Sequence, residues 1–149
     1  MDAFLRSMGF NAVQRAAVMT AGQVQVLTCD GRKLRIVSRD VRGTSELVLP
    51  IGGPAVQSAD GDGDQPIVRR AFAEGDDLVI TETAVGERQP LSECRRRLRD
   101  DGRMCVDVRK RTPNGDIASM RIVFSSVPPK QRCASSGATC GDSGNRSGV

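Results

Sequence analysis

The spacing of apolar residues changes once along this chain, at Gln23, and that change limits the fold more than any other feature. Ahead of it, Phe4, Leu5 and Met8, then Val13, Ala16 and Ala17, recur at three- and four-residue intervals, which a helix gathers onto one face. Gly9 divides this stretch, Asp2 to Thr20, into two short helices. Asn11 is suited to cap the second, and Ala21-Gly22 closes it with the residue that best tolerates a left-handed cap. Beyond Gln23 the period is two. Val24 to Thr28 and Leu34 to Ser38 flank Asp30-Gly31, where glycine supplies the positive φ of a tight hairpin turn. Further strands are expected at Thr44 to Leu49, Pro66 to Ala73, Leu78 to Ala84, Leu91 to Leu98, Met104 to Lys110 and Ala118 to Ser125, each separated from the next by a turn signal such as Asp100-Asp101-Gly102 or Pro113-Asn114-Gly115.

Charges at alternate strand positions, Arg35, Arg39 and Glu82 among them, forbid burial on both faces, so the sheet is expected to be antiparallel with one wet face. A meander of this length curls and closes. The expected fold is therefore mostly β: an antiparallel up-and-down β-barrel with an N-terminal helix-turn-helix as its lid. One domain over residues 1–126 suits the length of 149 residues, and the Ser/Gly-rich segment 127–149 is expected to be disordered.

Absence is informative too. With no histidine, tryptophan or tyrosine, the chain lacks His-based acid–base catalysis, Ser-His and Cys-His nucleophile pairs and the best base-stacking side chains. No catalytic residue, cofactor or metal site is assigned, and the chain is read as not an enzyme. Cys29, Cys94, Cys105, Cys133 and Cys140 are odd in number and lack C-x-x-C spacing, which points to free thiols in a reducing compartment. Cys105, within a strand, reads as a small core residue. Asp60 to Asp64 alternates acid with glycine, yet Arg70 stands where a calcium loop needs its bidentate glutamate, so a solvated loop is expected. No apolar run approaches the roughly 20 residues of a membrane span, and the chain is read as soluble and intracellular. The 22 basic residues are interspersed with 18 acidic ones for a net charge of +4, the pattern of a solvated exterior and not of a nucleic-acid-binding face.

Two short helices broken at a glycine and followed by an antiparallel meander resemble the plan of the intracellular lipid-binding proteins, the calycin-like family of fatty-acid-binding and cellular retinoid-binding proteins. Phe4 to Arg15 is similar to the family's helix-turn-helix, with Met8-Gly9 at its break and Arg15 six residues beyond the glycine. Asp30-Gly31 followed by Leu34-Arg35-Ile36 is similar to its next hairpin. Arg96 to Met104 resembles the retinoid-binding branch's Arg-Glu-Leu strand and following turn, and Arg121-Ile122-Val123-Phe124 its closing Arg-Val-Tyr strand. The family also has a strand ahead of the helices. Without it a barrel has two unpaired edges, open to self-association; with it present upstream, a monomer is expected.

The resemblance implies a carrier, cytoplasmic and also nuclear, for a fatty acid or other hydrophobic small molecule, with no metal and no integral membrane association. In the family two arginines and a tyrosine hold the ligand carboxylate. This carries over to Arg96 and Arg121, with the tyrosine position occupied by Val123. A carboxylate taken from water needs a partner, and a guanidinium offers it two parallel donors. Phe4, Met8 and Val18 are the expected portal and cavity residues, with Val123. Strand alternation leaves two arrangements open: Arg121 and Val123 face the cavity, or Ile122 and Phe124 line it and Arg121 is exposed. The rival readings are an interaction protein that binds no ligand and a barrel that binds nucleic acid weakly through its Arg-rich exterior.

Overall fold

The structure, a computed structural model, describes residues 1–40, 43–58 and 65–126. The acidic loop at Asp60 to Asp64 and the expected tail, 127–149, lie outside these. In chain order the elements are α1 (Asp2–Ser7), α2 (Ala12–Thr20), β1 (Val24–Cys29), β2 (Lys33–Asp40), β3 (Gly43–Pro50), β4 (Val56–Ser58), β5 (Ile67–Glu74), β6 (Asp77–Ala84), β7 (Ser92–Leu98), β8 (Met104–Arg111) and β9 (Ile117–Phe124).

The break between the helices is a Schellman turn. Gly9, at φ +85°, donates its N–H to Arg6 O and Phe10 donates to Leu5 O, satisfying two carbonyls at the end of α1. Two residues later Asn11 and Gln14 form a reciprocal capping box, each side chain accepting the other's backbone N–H at 2.9 Å. The far end of α2 differs from expectation. Ala21 ends it in an extended conformation, φ −69° and ψ 118°, because the chain runs directly on toward β1 and needs no reversal.

Within each of two sheets, a three-stranded β1-β2-β3 and a six-stranded β4-β5-β6-β7-β8-β9, every strand pairs antiparallel with its sequence neighbours. The first hairpin turns at Gly31, φ +85°, where Asp30 Oδ1 accepts the N–H groups of Arg32 and Lys33. Those bonds hold the Asp30 carboxyl below its ordinary pKa. The sequence reading did not anticipate β4, three residues long and without the alternation that marks the longer strands.

Leu34, Ile36 and Leu49 of the first sheet pack with Ala71 and Ile80 of the second in one buried cluster, so the sheets share a core. They meet at the Ile51–Ala71 bridge, where Gly52 also donates to Ala71 O. The architecture is that of the expected antiparallel barrel, but its closure is incomplete: among the described residues, β3 and β4 end their sheets beside the Ile51–Ala71 bridge, and β1 and β9 each pair on one side only. The two helices lie by that gap, with Phe4 and Leu5 packed on Ala118 of β9.

Candidate functional site

The register of the six-stranded sheet decides which side chains face the core. Leu78, Arg96, Val106 and Ile122 stand opposite one another across β6 to β9, and Ile80, Cys94, Val108 and Met120 form the next row. Ile80 is buried, and Cys94, Val108 and Met120, partly buried, pack against the two buried clusters, so Arg96 is on the core face. Its Nη1 donates to Cys94 Sγ at 2.7 Å, and its Nε is buried with no hydrogen-bond partner. Burial also raises the Cys94 thiol above its ordinary pKa, opposed by the Arg96 charge. With strands about 4.8 Å apart, Arg96 lies about 10 Å along the sheet from Ile122.

A second charged group shares this face. Arg69 Nε donates to Glu82 Oε1 and Ser92 Oγ to Glu82 Oε2, both at 2.8 Å. This corrects the expectation that Glu82 marks the wet face. Its cross-strand neighbour Arg69, only 16% exposed, supplies the positive charge that lets the carboxylate sit inward. On the first sheet, Gln25 Oε1 is likewise buried without a partner.

A cavity of about 710 Å³ opens between the helices, the link Ala21 to Gln23 ahead of β1, the end of β2 at Asp40, and β9. Its apolar lining includes Leu5, Phe10, Val18, Met120, Ile122 and Phe124. Of the residues singled out from sequence, Val18 and Val123 line it, whereas Phe4 and Met8 pack beside it against Ala118, Val108 and Met120. Arg121 is elsewhere. It projects from the opposite face of β9, its side chain 68% exposed, and grips Asp107 with two bonds: Nε to Oδ1 at 2.6 Å and Nη2 to Oδ2 at 2.9 Å. This hydrogen bonding by Arg121 is the main reason the Asp107 carboxyl lies below its ordinary pKa. Of the two arrangements left open by alternation, the structure has the one with Ile122 and Phe124 at the cavity, and it does not bring Arg121 together with Arg96.

The outer face is a lattice of matched charges. Arg95 bonds Glu74 and Glu93, Arg97 bonds Asp77 at 2.6 Å, and Arg35 bonds Glu46 at 2.7 Å. Among the described residues, no group of three or more acidic or cysteine side chains is placed to hold a metal ion, and no helix is long and apolar enough to cross a membrane.

No family model matches the sequence, and neither does any curated protein. Solved structures do. A fatty acid transporter designated REP1-NXSQ superposes with a TM-score of 0.63 at 18% identity, over 86% of this chain and 88% of that one. The fatty-acid-binding protein isolated from Manduca sexta gives 0.58 at 15%, over 84% and 89%. Apo lipid binding protein 8 of Caenorhabditis elegans gives 0.61 at 13%, over 84% and 86%. The chain has the fold of the intracellular lipid-binding proteins.

Proposed function

We propose that this protein is a cytoplasmic carrier that sequesters one elongated hydrophobic acid, a long-chain fatty acid or a retinoid-like carboxylate, with its tail in the cavity and its head group at Arg96. The observation that carries this reading is a core-facing guanidinium whose Nε is buried and unpartnered, about 10 Å along the same sheet face from a mostly apolar cavity that it does not itself line. The volume, about 710 Å³, falls within the range of small-molecule sites. A carboxylate at Arg96 would satisfy the orphan donor, and the roughly 10 Å from there to Ile122 is a distance that the tail of a long-chain acid spans. Apolar burial at about 25 cal/mol per Å² drives the binding, and the arginine selects the head group. The fold shared with proteins named for fatty-acid and lipid binding supports the same ligand class. Nucleic-acid binding is disfavoured because Arg35, Arg95, Arg97, Arg103, Arg111 and Arg121 all have carboxylate partners.

The test is a titration with a long-chain fatty acid and with the alcohol of equal length, each displacing a fluorescent fatty acid. Saturation near one ligand per chain, with the acid bound more tightly than the alcohol, is expected. A folded protein that binds neither overturns the carrier; equal affinity for both overturns the role given to Arg96.

A further inference from the structure

Most arginines of the six-stranded sheet have a carboxylate partner: Arg69 meets Glu82, Arg95 meets Glu74 and Glu93, Arg97 meets Asp77, Arg111 meets Glu87 and Arg121 meets Asp107. Arg96, on the core face, does not. Among the described residues it forms no ion pair, and its Nη1 bonds instead to the neutral Sγ of Cys94. One residue of β7 separates the two, so their side chains leave the same face with bases about 7 Å apart, within reach of an arginine stem laid along the strand. The rest of that neighbourhood is apolar. Leu78 and Val106 stand opposite Arg96, and Ile80 and Val108 opposite Cys94, so of these five residues around the guanidinium only the cysteine offers an acceptor.

A thiol accepts weakly and carries no charge, so it holds one arm of the guanidinium and leaves the cation unmatched, with the buried Nε still free. The thiol also stays protonated at neutral pH. Burial, helped by the charges of Glu82 and Asp107, raises its pKa by more than the nearby Arg96 charge lowers it. We infer that Cys94 is the positioning residue that sets head-group selectivity: it orients the Arg96 guanidinium while leaving its charge for the carboxylate of the ligand. This rests on the carrier reading above. A carboxylate at position 94 would pair with Arg96 as Glu82 pairs with Arg69, and the ligand's acid would then meet a neutral couple. An aliphatic residue there would take away the bond that fixes the guanidinium's direction.

Two substitutions of equal size separate charge from shape. Cys94→Asp supplies a carboxylate and Cys94→Asn a neutral acceptor. For each, a long-chain fatty acid and the alcohol of equal length displace a fluorescent fatty acid, and the ratio of their affinities is compared with the parent's. Cys94→Asn is expected to keep the preference for the acid within about threefold, and Cys94→Asp to lower it by about 10- to 150-fold with the alcohol far less affected. A folded Cys94→Asp protein that keeps the parent's preference overturns the assignment and leaves the carrier standing, as does Cys94→Asn losing as much as Cys94→Asp. A parent with no preference for the acid fails the head-group reading itself, before any variant is made. A second measurement needs neither ligand nor these variants. Iodoacetamide labelling at Cys94, followed by mass spectrometry as a function of pH, is expected to shift to higher pH in Arg96→Met, where the opposing charge is gone. An unchanged profile overturns the contact between the two side chains, whether or not a fatty acid binds.

Discussion

Replacing Arg96 with methionine is expected to move stability and affinity in opposite directions. In the ligand-free protein Arg96 is held on an apolar face between Leu78 and Val106, with Cys94 Sγ as its hydrogen-bond partner and a buried, orphaned Nε. An unsatisfied buried donor costs roughly 1–3 kcal/mol, and apolar replacement of a buried charged group of similar shape is often neutral or stabilising. Methionine keeps most of the stem's packing and removes the donor. Arg96 is only partly buried, so we expect a gain of about 1 kcal/mol, in the lower part of that range. Affinity for a fatty acid should fall by the roughly 1.5–3 kcal/mol of a charged hydrogen bond, about 10- to 150-fold. The affinity of the matching alcohol should barely change. The chain has no tryptophan or tyrosine, so urea unfolding is followed by circular dichroism and binding by displacement of a fluorescent fatty acid. An Arg96→Met protein that is less stable than the parent and binds fatty acid as tightly would refute the reasoning, because the arginine would then be structural.

Other substitutions separate the remaining parts of the site. Arg121→Ala should leave fatty-acid affinity unchanged, since the side chain is exposed on the opposite face; a tenfold loss in the same displacement assay would return Arg121 to the site. Phe124→Ala should weaken binding of acid and alcohol alike by roughly 1–2 kcal/mol through lost apolar contact, measured against the parent by the same titration. Asn11→Ala breaks the capping box and should cost about 1 kcal/mol in urea unfolding, with faster exchange of bound probe because α2 lines the cavity. Asp77, Asp107, Asp30 and Glu46 all have carboxyls held below their ordinary values by hydrogen bonds. Their contribution is therefore fully present above the unfolded values near pH 4 and is lost as pH falls through the lower folded ones; acid unfolding by circular dichroism should show the decline starting there. Thiol labelling should reach the exposed Cys29 well before Cys94, whose burial raises its pKa, and saturating fatty acid should slow Cys94 further.

The fold was legible because its signals are local. Gly9, Asn11 and Asp30-Gly31 each fix a short stretch of backbone through their own hydrogen bonds, and they act as the sequence reading expects. The alternation in Leu34-Arg35-Ile36 is local too, and Leu34 and Ile36 are buried while Arg35 meets Glu46 in solvent. Two local signals misled. Gly22 follows a helix that needs no left-handed residue, and Val56–Ser58 is too short to show a period. The site was less legible because it depends on which strands lie side by side. Glu82 reads as a solvent charge until Arg69 and Ser92 are known to flank it. Arg95, Arg96 and Arg97 are one composition and two environments: the outer pair meets Glu74, Glu93 and Asp77, and only Arg96 shares a face with Cys94.

That parity has a consequence for head-group chemistry. Arg121 and Arg96 lie on opposite faces of one continuous sheet, and bringing both to a single carboxylate would require slipping β9 by one residue against β8. The slip would carry Ala118, Met120 and Ile122 out of the core and leave Phe4 and Leu5 on α1 without the surface they cover. Recognition through Arg96 therefore uses one arginine; of the other cations on the core face, Arg69 is engaged by Glu82, and Lys110 stands opposite Ser92, four residues along β8 from Val106. A head group with a single negative charge is the match for that arrangement. A dianionic head, such as an alkyl phosphate, brings a second charge to a position whose cross-strand neighbours, Leu78 and Val106, are apolar, and it is expected to bind at least tenfold more weakly than the carboxylate of equal tail length. Competition between the two for the same fluorescent probe measures this directly, and an alkyl phosphate that wins would mean that a second core-face cation, Arg69 or Lys110, reaches the head group.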